Sequence, residues 1–221
     1  MAPLRALATT ALLFLSAANA HFVMVAPPSL EGGSVNEDKQ GTAPCGGTLP
    51  DLSQRATTDF HVDGDSIALR LGHPQAKWLF RGTLEDKASG NWTQLYPIVL
   101  QSGLGNFCEP QVTAPRDWVN KTGVIGIVAN APDGTLYQCA VVNFVAGSAP
   151  SVSESCTNGS AVTGDFTSDA KLSGLIGNPD TASNTPAPNP SGSAASSVSG
   201  GLPIGSLLIT GAMALLGTAL L

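Results

Sequence analysis

Between residues 57 and 147 the chain is cut into short apolar runs, each stopped by a turn signal after a few residues. Phe60 and Val62 alternate with Asp59 and His61; Ile67, Leu69 and Leu71 repeat at the same spacing, as do Tyr96, Ile98 and Leu100. A period of two lays one face of a strand on a core, and no stretch carries a convincing helical period of 3.6. Further strands are expected from His21 to Val25, from Lys77 to Thr83 around Trp78 and Phe80, and from Leu136 to Val145. Val124-Ile125-Gly126-Ile127-Val128 is apolar throughout, which predicts a buried strand over Thr122 to Ala129. Asp63-Gly64-Asp65 predicts a hairpin turn joining the strands on either side, and Ala131-Pro132-Asp133-Gly134 a second turn. Residues 29–56, rich in Gly and Pro, read as a long loop held by Cys45. About seven short strands with frequent turns predict an all-β protein, an immunoglobulin-like antiparallel β-sandwich with long loops.

Both ends of the chain read as processing signals. Arg5 followed by the apolar run through Leu7, Leu12, Leu13, Phe14 and Leu15 makes the first regions of a secretory leader, and Ala18-Asn19-Ala20 fits a cleavage site. Residues 1–20 are therefore expected to be removed, leaving His21 first. From 177 to 201 Ser, Pro, Ala, Asn and Gly dominate, as in a disordered stalk. The apolar stretch 202–221 follows, with no charge behind it. Small residues around Ser193, a spacer and a terminal apolar tail form the pattern of a GPI-anchor signal, with Ser193 as candidate attachment site. A membrane-spanning helix is the alternative, disfavoured by the lack of a flanking Lys or Arg. The folded domain is expected over residues 21–176. Sixteen acidic residues outnumber ten basic ones, which argues against nucleic acid or an anionic membrane surface as partner. Contact with a membrane is expected through the lipid alone, and the place of the protein is the outer cell surface.

Four cysteines, Cys45, Cys108, Cys139 and Cys156, fit two disulfides in a secreted chain, with three possible pairings. None has C-x-x-C spacing, so a zinc or redox motif is not expected. Asn91, Asn120 and Asn158 each open an N-glycosylation sequon.

The chemistry is expected at histidine. Only three are present, and one stands directly behind the cleavage site. A first-residue histidine offers its free amine and its Nδ1 to one metal ion, closing a six-membered chelate. A second imidazole opposite would complete a set of three nitrogens, and nitrogen ligands in a tetragonal arrangement favour Cu(II). His73, between Gly72 and Pro74 in the break after a strand, can present its ring at one end of the sandwich. His61 lies on the polar face of a strand and reads as a surface residue.

Ala43-Pro44-Cys45-Gly46-Gly47, Gly72-His73-Pro74, Gly105-Asn106-Phe107-Cys108 and Asp133-Gly134-Thr135-Leu136-Tyr137-Gln138-Cys139-Ala140 follow His21 in this order. Together they resemble the fungal LPMO-like copper proteins that include the Bim-type copper acquisition factors. The resemblance covers about residues 21–160 and the GPI-type tail. It implies an LPMO-like β-sandwich and a copper histidine brace without the polysaccharide-cleaving role. His21 and His73 match the brace, and the family's aspartate ligand falls on Asp133 as candidate. Asp133 also has a plain reading as a turn residue, and Asp63 and Asp65 are lesser candidates. Some relatives carry an Asp soon after the Cys-Ala pair, where this chain has Val141 and Val142.

Three functions follow. The first is cell-surface binding of one Cu(II) per chain, for copper acquisition or wall remodelling, with a membrane copper transporter or cell-wall glycans as further partners. It is expected not to be catalytic. The second is a copper-dependent lytic polysaccharide monooxygenase. The third is a metal-free structural wall protein.

Overall fold

The computed structural model describes residues 21–177, apart from 33, 34, 54, 55 and 57. The expected leader (1–20), the expected anchor site at Ser193 and the expected apolar tail signal (202–221) lie outside the described residues. Two sheets face each other. The smaller has the order β1-β3-β6 and the larger β2-β8-β7-β4-β5-β9. The strands are β1 Phe22–Ala26, β2 Asp59–His61, β3 Asp65–Leu71, β4 Gln75–Thr83, β5 Thr93–Ser102, β6 Gly105–Val112, β7 Thr122–Ala131, β8 Gly134–Val145 and β9 Thr163–Phe166. A single helical turn, α1 Ala170–Ser173, follows, with Asp169 accepting from the Leu172 amide at its start. The all-β sandwich expected from the alternation is the observed fold.

The core lies between the sheets. Phe22, Met24, Ile67, Leu69 and Leu71 from the small sheet meet Trp78, Phe80, Ile125, Ile127 and Phe144 from the large one. Alternation sorts the strands as expected: on β7, Ile125, Ile127 and Ala129 enter this core. Val124 and Val128 point the other way, yet are also buried. The outer face of the large sheet is covered there by two further clusters, one with Cys45, Trp92 and Cys139, the other with Leu79, Tyr137 and Leu172. That second cover explains why the 124–128 run is apolar on both faces.

The disulfides hold the coverings down. Cys45–Cys139 ties the long loop onto β8, and Cys108–Cys156 ties the segment after β8 onto β6. Among the three pairings open to the sequence, these are the ones formed.

One expectation needs correction. Asp63-Gly64-Asp65 does turn the chain, with Gly64 N–H donating to the His61 carbonyl, but it makes no hairpin. β2 instead runs parallel to β8, pairing Phe60 with Phe144, while β3 lies between β1 and β6 in the other sheet. The turn is a crossing between layers. The Asp65 carboxylate accepts from both the His61 backbone amide and Nδ1, each at 2.9 Å, so side-chain bonds replace the ladder a hairpin would have formed. A strand for which the sequence raised no expectation is β6: the stretch around Cys108 is a full strand paired with β3 from Asp65↔Val112 to Leu71↔Gly105. Its weak apolar alternation, Phe107 then Glu109, hid it.

One end of the sandwich collects the start of one strand and three connections. There β1 starts, β3 crosses to β4 through Gly72, His73 and Pro74, β5 turns into β6, and β7 turns into β8 through Pro132 and Asp133. Antiparallel pairing brings them together: Phe22 faces Leu71, Leu71 faces Gly105, and Lys77 faces Asn130.

Candidate metal centre

Register places His21 and His73 at that same end of the sandwich. Phe22 opposite Leu71 places His21 beside Gly72, and the Gly72 amide donates to the His21 carbonyl at 2.9 Å. His73 is the next residue. Phe22 beneath packs edge-on against Trp78 with ring centroids 5.0 Å apart, so His21 stands on a rigid floor.

β1 is an edge strand, and side-chain amides cover its open side. Gln40 Oε1 accepts from the Phe22 amide and Gln40 Nε2 donates to the Phe22 carbonyl at 2.6 Å. Gln138 Oε1 accepts from the Met24 amide at 2.6 Å. The same loop orients His21, whose Nε2 lies 3.1 Å from the Glu37 carbonyl. A carbonyl only accepts, so this bond puts the proton on Nε2 and leaves Nδ1 with its lone pair free. Nδ1 is buried and has no hydrogen-bond partner.

His73 has the complementary arrangement. The residue is 9% exposed, and its Nε2 is likewise buried without a hydrogen-bond partner. Asp133 Oδ1 nevertheless lies 2.9 Å away. The distance suits an ion pair and the orientation does not suit a hydrogen bond, so the two atoms are neighbours rather than donor and acceptor. Buried polar atoms normally find partners; here two ring nitrogens at one end of the sandwich do not.

These residues fit a copper ion in the nature of their donors: two imidazole nitrogens and a carboxylate. Among the described residues no three His, Cys, Asp or Glu side chains gather around a single point. A brace would draw its remaining nitrogen from the main chain at His21, which in the uncut chain is a peptide amide. Glu37 is a carboxylate the sequence reading passed over, its Oε1 3.8 Å from His21 Nδ1. The acidic pair Glu37-Asp38 in the long loop was its only signal.

The lesser candidates fall elsewhere. Asp65 begins β3 and His73 follows its end, a separation of about 20 Å along the strand. Asp63 pairs with Arg116 at 2.7 Å, and His61 with Asp65 at 2.9 Å. His61 is thus a partnered, half-buried residue remote from the site rather than a merely solvated one. Val141 and Val142 supply no ligand. The three sequon asparagines are exposed.

Residues 19–161 match the domain of the copper acquisition factor BIM1-like family, beginning just before His21 and ending beyond the second disulfide. The chain belongs to that family. It is also similar to a lytic polysaccharide monooxygenase-like protein X325 of Yarrowia lipolytica, 33% identical over 176 residues, covering 74% of this chain and 64% of that protein. An uncharacterised protein of Aspergillus fumigatus is 29% identical over 161 residues, covering 68% of this chain and 64% of the relative. The chain thus spans less than two thirds of the length of either relative. Membership of the family ties this BIM1-like protein to copper.

Proposed function

We propose that this protein is an extracellular, cell-surface protein that binds one Cu(II) through a histidine brace, in copper acquisition or homeostasis. The observation that carries the reading is a pair of buried ring nitrogens without a hydrogen-bond partner, His21 Nδ1 and His73 Nε2, at one end of the sandwich, each with a carboxylate oxygen nearby. Asp133 adds the carboxylate. Removal of the leader would turn the His21 amide into an amine, supplying the remaining nitrogen. In the uncut precursor that donor is absent, so the site would form only on secretion.

Copper is the cargo in this reading. Each ligand residue has its own part. His21, aligned by the Glu37 carbonyl, keeps Nδ1 unprotonated for the ion. Asp133 offsets one of the two charges of Cu(II) and occupies space that another ligand would take. A carboxylate in that place favours holding the ion over oxygen chemistry. Anchoring by a GPI lipid at the outer cell surface, on the plasma membrane or the cell wall, belongs to the same proposal, with a membrane copper transporter as the receiving partner.

The name of the Yarrowia relative favours a second reading, polysaccharide oxidation. The tryptophans offer it little support: Trp78, Trp92 and Trp118 are all buried. Electron paramagnetic resonance on protein starting at His21 tests the proposal. One equivalent of Cu(II) should show several nitrogen ligands. His73→Ala should lose nitrogen coupling, Asp133→Asn should keep it but change the signal, and His61→Ala should leave it untouched. Signals insensitive to His73→Ala would contradict the brace.

A further inference from the structure

The outer face of the large sheet carries a buried charge that copper binding leaves unused. Arg81, on β4, is 2% exposed. It lies where three coverings meet: the loop held by Cys45–Cys139, the loop leading into Trp92, and the segment after α1. Its Nη1 donates to the Leu175 carbonyl at 2.9 Å and its Nη2 to the Pro44 carbonyl at 3.2 Å. The guanidinium carbon sits 3.9 Å from the centroid of Trp92. Gly126 makes room for that indole, since a Cβ there would meet the ring at 2.9 Å.

None of these partners is an anion. Carbonyl dipoles and an aromatic face solvate a cation, but they do not cancel its charge, and an uncompensated buried charge costs several kcal/mol. Among the described residues no carboxylate pairs with Arg81, and its Nε is buried without a hydrogen-bond partner. Burial lowers its pKa to about 10, so it remains a cation at neutral pH. Beside it opens a cavity of about 450 Å³ lined by Pro44, Arg81, Ser89, Trp92, Tyr137 and Leu175. Its walls are otherwise uncharged, chiefly proline, aromatic rings and leucine.

We propose that this cavity binds an organic monocarboxylate, whose charge meets Arg81 and whose hydrocarbon part lies against Pro44, Trp92 and Leu175. One buried cation matches one negative charge. A dianion such as phosphate would bring a second charge with no counterpart into apolar walls. An apolar pocket with one convergent charged group is the common form of a small-molecule site. The cavity is on the sheet face and the copper ligands are at the sandwich end, so the two proposals stand separately.

Benzoate is the probe, titrated into the protein with inorganic phosphate and uncharged benzamide as controls. Binding is read by tryptophan fluorescence and by the rise of Tm with ligand concentration. Benzoate is expected to quench saturably and raise Tm, whereas phosphate and benzamide do neither. Ser89→Trp narrows the cavity at an exposed lining position without touching Arg81 and should weaken binding about tenfold or more. Arg81→Lys keeps the charge but loses the fork, and should also weaken binding by about tenfold. Absence of saturable benzoate binding to the unaltered protein would overturn the proposal. So would equal binding of phosphate or benzamide, or wild-type affinity in both variants.

Discussion

Gly72 is a surface residue whose substitution should cost far more than surface substitutions usually do. A Cβ built on it would sit 2.9 Å from the His21 carbonyl oxygen, closer than real Cβ atoms approach, and the atom in the way is main chain. Relief of a few tenths of an ångström must come from the start of β1. The bond from the Gly72 amide to the same carbonyl, 2.9 Å long, would stretch as it moves. Losing most of one such bond costs about 1 kcal/mol, and overpacking adds about 1–3 kcal/mol. The expectation for Gly72→Ala is therefore a loss of about 2–4 kcal/mol, against about 0.5 kcal/mol or less at an ordinary exposed position. For a domain of this size that lowers Tm by about 4–16 °C in thermal unfolding of the metal-free protein. The same displacement moves His21 relative to His73, so Cu(II) affinity in a chelator competition should fall as well. A Tm within about 1 °C of wild type, with unchanged copper affinity, would refute the reasoning.

Two predictions concern the scaffold. Cys45–Cys139 spans 94 residues and Cys108–Cys156 spans 48; loop-closure entropy gives about 4.7 and about 4.1 kcal/mol for them. Denaturant unfolding of the paired Cys→Ala variants should show the first to be the costlier loss, and a reversed order would count against the pairing logic. Glu109 is 8% exposed, and burial raises its carboxyl above the ordinary value despite a bond to Tyr96. A raised acid binds protons more tightly folded than unfolded, so its contribution worsens as pH rises through the unfolded value and the folded one. Glu109→Gln should raise Tm at pH 7 and have little effect at pH 3, as measured by melting across that range; a loss of Tm at pH 7 would contradict this.

Much of the fold was legible because alternation at Phe60, Ile67, Trp78 and Ile125 reports which face meets the core. Partnership was less so. Asp63-Gly64-Asp65 has the residues of a hairpin turn, but turn chemistry says nothing about which sheet the next strand enters, and the hydrophobic surface of Phe60 and Phe144 decided that. β6 was missed since only Phe107 and Val112 of its apolar residues are fully buried, with Glu109 between them. At the candidate metal centre, His21 and His73 stood out in the sequence from their places behind an expected cleavage site and in a strand break, whereas Asp133 followed only from the family resemblance, its place in a turn giving it a plain structural reading. Glu37 acts through a main-chain carbonyl and a loop conformation, neither of which leaves a mark on sequence. Arg81 follows Phe80 on a strand whose outer face the sequence would give to water. Only the packing of three distant segments over it makes it a buried charge.

The central claim is that the copper site is completed by the free amine of His21. The most direct test compares Cu(II) affinity of protein beginning at His21 with the same protein carrying one additional residue before it. The extension should weaken binding by about a hundredfold or more, because it removes one chelating nitrogen and breaks the six-membered ring, while thermal stability of the metal-free forms stays the same. Equal affinity of the two forms would contradict that claim.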